Sequence, residues 1–448
     1  MPIPTSLAPD PAAAGLEALR AATREFSGRY PGESGGRQPL HTVYGGGHLF
    51  RADTVRKLGA VALRALEEYG ADAAEFARAV GMPSALADVV HRRVVFKLQR
   101  EPVEDFRIDF EDGYGNRPDD EEDGHAAASA AEVARGLTEG TLPPFIGIRI
   151  KPLNEEHRRR SIRTLDVFLT ALIRTAGRLP DGFVVTLPKV TIPEQVEWFA
   201  AVLAEAEDAL DLVPGSLRFE IMVETPQIIV DRSGRSALPA LLEAGRGRIS
   251  AAHLGTYDYT AGCNITAAHQ GMGHPACDFA RQMMQVAFAG TVVWLSDGST
   301  TVMPVPRHRA AAGTTLTPEQ LAANRAGVHH AWALHYADVR RSLIQGFYQG
   351  WDLHPAQLAT RYAAVYAFFL EGLEAAGERL RNFVAKAAQA TLVGDVFDDA
   401  ATGQGLLNYF LRGINAGALS EEEAAERTGL SLEEFRGRSF VAILAGRK

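Results

Sequence analysis

Eight short apolar or β-branched runs, each followed by a longer segment of helical character, constrain this chain more than any other feature. The runs are Leu40–Tyr44, Phe106–Phe110, Phe145–Ile150, Phe183–Leu187, Leu217–Val223, Ile249–Leu254, Val292–Leu295 and Gly350–Leu353. Helical periodicity fills Thr54–Tyr69, Ala126–Leu137, Arg160–Arg174, Pro193–Ala209 and Gln320–Leu343 between them. Strands that alternate with helices form parallel sheets, because a parallel connection needs a long crossover. Eight such units over roughly 300 residues suit a (β/α)8 TIM barrel better than an open sheet. No Gly-x-Gly-x-x-Gly follows any run, as a dinucleotide-binding open sheet would require.

Flanking this region, residues 1–36 are rich in Ala, Pro, Gly and Ser and read as a partly disordered arm with one short helix near Leu16–Phe26. The barrel is expected over 37–360. Beyond Gln357 the strand signal stops, and residues 361–448 read as an all-α C-terminal domain, with helices at Arg361–Gln389 and Gln404–Ile414. The acidic run Asp119–Asp123 reads as a solvated loop.

A net charge of −9 argues against a nucleic-acid partner, which favours a basic face. No apolar run reaches the ~20 residues of a membrane helix, and the N-terminus lacks a secretory pattern. Two cysteines, Cys263 and Cys277, are too few for a disulfide framework or a structural zinc site. A cytoplasmic protein with neither a membrane nor a nucleic-acid partner is expected. A barrel with an added helical domain is also expected to form a homo-oligomer.

Chemistry-bearing residues fall at the C-terminal ends of the runs, the face where barrel active sites are built. DFEDGYG supplies Asp109, Glu111 and Asp112; IGIRI ends near Arg149; LPKV carries Lys189; IMVETP carries Glu224; LGTYDYTAG carries Asp258. Glu224 and Asp258, from adjacent strands and without Cys or paired His, suit a hard cation such as Mg²⁺, with Mn²⁺ an alternative. Such a metal accepts the carboxylate and carbonyl of a 2-oxo acid and polarises the carbonyl. Gly255, Thr256 and Tyr257 can offer backbone N–H groups to the substrate carboxylate. Arg149 suits an enolate or carboxylate, or else an ion pair with the DFED acids. Lys189 reads as a substrate contact or as a salt bridge on the barrel rim. Asp109, Glu111 and Asp112 are expected to hold metal waters or Arg149. Gly45–Gly47 reads as a tight turn. His41, His48, His329 and His330 show no ligand spacing.

The ordered series DFEDGYG, IGIRIKP, VVTLPKV, EIMVETP, HLGTYDY and GWDLHPAQ resembles the citrate lyase β-subunit and malate synthase superfamily over roughly Pro39–Gln357. The resemblance implies a barrel with Mg²⁺ on Glu224 and Asp258 and a substrate-facing Arg149. The segment VFDDAATGQGLLNYF is similar to a malate synthase motif whose aspartate is the catalytic base, and it carries that role to Asp399. The implied activity is Claisen-type carbon–carbon bond formation or cleavage between a 2-oxo acid and an acyl-CoA. Three other readings stay open: an aldolase on hydroxy 2-oxo acids without CoA, phosphoryl transfer on enolpyruvate compounds, and a non-catalytic subunit.

Overall fold

The computed structural model describes residues 13–32, 36–385, 391–393, 396–398 and 400–437, with single positions 6, 440, 443 and 446. Eight parallel strands close into a barrel in sequence order: β1 His41–Gly46, β2 Asp105–Asp109, β3 Phe145–Arg149, β4 Phe183–Leu187, β5 Arg218–Val223, β6 Ile249–Leu254, β7 Trp294–Ser299 and β8 Gln349–Asp352. β8 pairs with β1, with Gly350 opposite His41, and this pairing completes the ring. Every expected strand is present. The largest shift is in β7, which starts at Trp294 and runs on through Ser296, Asp297 and Gly298 rather than ending at Leu295.

Residues that alternate along a strand point to opposite faces. On β2, Phe106 and Ile108 are buried against the helical layer, and Ile148, Val185, Ile221 and Ala252 do the same on other strands. The opposite face of β2 carries Asp105, Arg107 and Asp109 into the barrel. There Arg107 crosses the interior to β5: its Nε and Nη2 donate to Glu220 Oε1 and Oε2, both at 2.9 Å. It also pairs with Asp105, whose Oδ2 accepts from Thr42 at 2.9 Å. Thr186 donates to Glu220 at 2.5 Å, and His253 Nε2 meets Glu220 Oε2 at 3.0 Å. Barrel interiors are mostly filled by branched apolar side chains. This one is filled by charges that compensate one another.

The segment Asp119–Asp123 is not a loop. It forms the first turn of the helix Asp119–Glu139, entered through Pro118. Carboxylates at a helix start oppose the positive end of the helix dipole. Glu122 is fully buried, accepting from Lys151 Nζ at 2.7 Å and Thr164 Oγ1 at 2.5 Å.

The helix Leu358–Glu371 packs into the barrel's own core through Tyr362, Val365 and Phe369. A second apolar cluster, with Leu380, Phe383, Leu407, Phe410 and Phe435, gathers the helices that follow. Between them Thr391–Val393 pairs antiparallel with Val396–Asp398, so this part is not wholly helical. Its β-branched and aromatic residues favour a strand. Near the N-terminus the expected helix runs Ala13–Arg29, and Gly32 N–H donates to Gly290 O at 2.8 Å. Among the described residues no helix is long and apolar enough to cross a membrane.

Replacing Arg107 strands two buried carboxylates. Arg107→Met is expected to cost about 3–5 kcal/mol of unfolding free energy, the usual penalty for breaking a buried ion pair from one side. Urea unfolding of the variant against wild type measures it, and a loss under about 1 kcal/mol is incompatible with a charge-filled interior.

Candidate active site

At the C-terminal mouth the strand ends converge as expected. Glu224 follows β5 directly and is 2% exposed. Its Oε1 accepts from the Lys189 backbone N–H at 2.6 Å. That bond needs Lys189 in the left-handed region, at φ 48°, an uncommon conformation for a residue with a side chain. The chain after β4 therefore holds a strained turn aimed at Glu224. Gly255 closes on the carboxylate from the other side: a Cβ there would lie 2.3 Å from Glu224 Oε2. Only glycine fits that approach.

Asp258 is carried by the short helix Thr256–Gly262 after β6, with its side chain 44% exposed. Burial, then the charge of Asp258, pushes the Glu224 carboxyl up to about 8. Lys189 bridges the acids. Its Nζ pairs with Glu111 and lies 3.1 Å from Asp112 Oδ2 and 3.8 Å from Asp258 Oδ2. Burial works against the ammonium, but Glu111, Glu224 and Asp258 raise it above the ordinary lysine range.

Arg149 ends β3 and is nearly buried. Its Nε and Nη2 donate to Asp109 Oδ1 and Oδ2 at 2.7 and 2.5 Å, and Nη1 lies 3.1 Å from Glu111 Oε2. The guanidinium rests 4.7 Å from the centre of the Tyr44 ring. Asp109 also accepts from the N–H groups of Glu111 at 3.0 Å and Gly113 at 2.7 Å. All its capacity goes to fixing Arg149 and the turn. The arginine thus makes the ion pair with the DFED acids and still stands at the mouth.

Of the three expected backbone donors, Gly255 N–H is taken by Val223 O at 3.1 Å. Thr256 and Tyr257 open the helix, where N–H groups have no acceptor within the helix. The Tyr257 hydroxyl turns to Ser299 O at 3.0 Å. Asp399 lies outside the described residues.

The mouth also holds residues that sequence reasoning passed over. Tyr44 lies under Arg149 and against Trp351, with ring centres 4.8 Å apart, and Trp351 Nε1 donates to His253 Nδ1 at 3.2 Å. Alternation along β1 and β8 puts Tyr44 and Trp351 on the inward face, a signal present in the sequence.

Among the described residues no group of three or more His, Cys, Asp or Glu is arranged to hold a metal. The donor set is instead two carboxylates of Glu224 and Asp258, which suits a cation that keeps most of its waters. Charge supports the fit. Among the described residues, Asp109, Glu111, Asp112, Glu224 and Asp258 face two cations, Arg149 and Lys189. A divalent cation would offset both the burial and the Asp258 charge that raise Glu224.

Fold and site together define a (β/α)8 barrel with a carboxylate pair suited to a hard divalent cation at its C-terminal mouth. The chain belongs to the family described as Domain of unknown function (DUF6986), which matches residues 19–443. No curated protein matches it in sequence. A citrate lyase from Burkholderia xenovorans shares its fold, at 20% identity and TM-score 0.53, over 75% of this chain and 91% of that one. Similar over more of the chain is Haloferax volcanii malate synthase, solved with magnesium and glyoxylate, at 13% identity and TM-score 0.45, covering 92% and 97% of the two chains. The citrate lyase β-subunit of M. tuberculosis, solved with oxaloacetate and magnesium, is 14% identical with TM-score 0.38, over 73% and 96%. The fold expected from the motif series is the fold found, a closed barrel of eight parallel strands.

The raised Glu224 has a consequence for stability. Between the ordinary carboxylate value of 4.5 and about 8, the folded metal-free protein holds a proton that the unfolded chain releases. This carboxyl therefore subtracts stability as pH rises through that window. In EDTA, Glu224→Gln is expected to raise the melting temperature relative to wild type at pH 9, with a smaller gain at pH 5. Equal gains at both pH values would show that Glu224 is not raised.

Proposed function

We propose that this protein is a Mg²⁺-dependent carbon–carbon lyase or synthase acting on a 2-oxo acid and an acyl-CoA. The observation that carries the reading is the Glu224–Asp258 pair beside Arg149, at the end of the barrel where chemistry is built. Glu224 and Asp258 would hold Mg²⁺, with Mn²⁺ as a substitute. Bound there, the metal supplies Lewis-acid polarisation of the oxo-acid carbonyl.

The chain's own residues do the rest. In the condensing direction Asp399, assigned from its motif, takes the proton from the carbon next to the thioester carbonyl. Arg149, held rigid by Asp109, offsets the negative charge of the resulting enolate. The enolate carbon bonds to the oxo carbon, whose oxygen takes a proton and becomes a hydroxyl. Cleavage runs the same steps backwards. Lys189, with Thr256 and Tyr257 at the helix start, flanks the substrate carboxylate. Asp109, Glu111 and Asp112 keep Arg149 and Lys189 in place.

A second reading uses only the groups that the barrel itself brings to the mouth, Arg149, Lys189, Glu224 and Asp258. An aldolase on hydroxy 2-oxo acids needs only those groups and dispenses with Asp399.

Calorimetric titration of glyoxylate, pyruvate and oxaloacetate, with and without Mg²⁺ and then with acetyl-CoA, separates the two. Metal-dependent binding followed by turnover heat with acetyl-CoA is expected. Metal-dependent binding with no response to acetyl-CoA favours the aldolase. No oxo-acid binding under any condition rejects both.

Glu224→Gln and Asp258→Asn are each expected to remove Mg²⁺-dependent turnover while leaving the protein folded. Asp399→Asn is expected to slow it by about 10² to 10⁴, the usual worth of a general base. Wild-type rates in the first two variants would remove the metal assignment, and an unchanged rate in the third would remove the base.

A further inference from the structure

The opposite end of the barrel holds a cavity that the proposed reaction does not use. It encloses about 450 Å³ and is lined at the N-terminal ends of the strands by Asp105, Phe145, Arg218, Glu220, Trp294 and Gln349, with Ser216 at its edge. That volume is in the range of small-molecule sites.

Arg218 is the unusual member. It sits two residues before Glu220 on β5, so both point inward. Other arginines in and around the barrel present the Nε–Nη2 edge to a carboxylate: Arg107 to Glu220, Arg149 to Asp109, Arg361 to Asp352. Side-on pairing of this kind is the strong, directional mode for arginine. Arg218 has the same edge unfilled. Its Nε is shielded from solvent without a hydrogen-bond partner, and Nη2 makes one long contact, to Ile249 O at 3.4 Å. The Ser216 hydroxyl on the same cavity is likewise shielded and unpartnered. Burial holds the Arg218 guanidinium below its ordinary value, with no acid to offset it.

We propose that this cavity is a second ligand site, at the N-terminal end of the barrel, that takes a monocarboxylate with an aromatic or aliphatic body. The carboxylate pairs with the Nε–Nη2 edge of Arg218 and accepts from Ser216. The body lies against Phe145 and Trp294, which meet edge to face with centres 6.0 Å apart, and against Leu179 and Pro180. Charge selects the valence. Arg107, which also lines the cavity, is matched by Asp105 and Glu220, so Arg218 is left as the unmatched charge; one carboxylate completes it and a second negative charge would find no partner, which disfavours phosphate and tricarboxylates. The site is independent of the metal pair, so it stands or falls apart from the proposed reaction.

The test uses the full-length protein and benzoate, followed by calorimetry and thermal melting, with phosphate and citrate for comparison. Saturable binding of benzoate is expected, with phosphate and citrate at least about tenfold weaker. Arg218→Gln should weaken benzoate at least about tenfold, and Ser216→Ala should weaken it less. Arg218→Gln removes an unpaired, half-buried charge, so it should fold and melt no lower than wild type. Glu224→Gln should bind benzoate as wild type does. Absence of saturable binding, equal affinity in Arg218→Gln, a preference for citrate, or loss of binding in Glu224→Gln would each overturn the proposal.

Discussion

Arg107 spanning the barrel to Glu220 is the interaction on which the arrangement turns. A guanidinium inside a closed sheet is tolerable only with its charge and donors matched. Asp105, Glu220 and Thr186 do this from three different strands, and Thr42 and His253 hold the two acids in turn. Strand register is thereby locked by charge as well as by backbone pairing, since a two-residue slip of β5 would place Arg218 opposite Arg107. The rigid floor that results carries Tyr44 and Trp351, and Arg149 rests on Tyr44.

Above that floor the mouth is built with an excess of carboxylates. Asp109 is spent on Arg149, and Glu111 is shared by Arg149 and Lys189. Glu224 and Asp258 are left with the Lys189 ammonium 3.8 Å from one and its backbone N–H on the other. The left-handed turn at Lys189 and the glycine at 255 are the local costs of bringing these groups together. A left-handed residue and an obligate glycine that close on one buried carboxylate beside a second acid are the pattern of a built site.

The sequence is legible here where physics is local. The outward faces of the strands are apolar, so runs such as Phe106–Phe110 and Phe183–Leu187 stand out, and the polar residues at their ends mark the mouth. Long-range compensation is not legible. Arg107 and Glu220 look like ordinary polar positions in alternating strands, and nothing in either run announces the other. Asp119–Asp123 misleads because acids suit solvated loops and helix starts alike, and what decides is the buried Lys151 that meets Glu122. Asp258 was legible as a strand-end acid, although the structure carries it on a short helix whose start Gly255 defines. Tyr44 and Trp351 were within reach of the alternation rule, which puts both on the inward face of their strands.

The crossing between β2 and β5 also has a meaning for synthesis. Arg107 and Glu220 lie 113 residues apart, so a ribosome working at typical speed needs roughly 10 s to supply the second after the first. During that interval the emerging strands β1–β4 carry Arg107 paired with Asp105 but without the carboxylate that accepts from its Nε–Nη2 edge, and burying that edge unfilled is unfavourable. The first half of the chain is therefore a poor candidate for an independent folding unit. A gene-fusion origin from two self-sufficient half-barrels fits this interior badly, because each half would have had to shed its own compensating charges after joining.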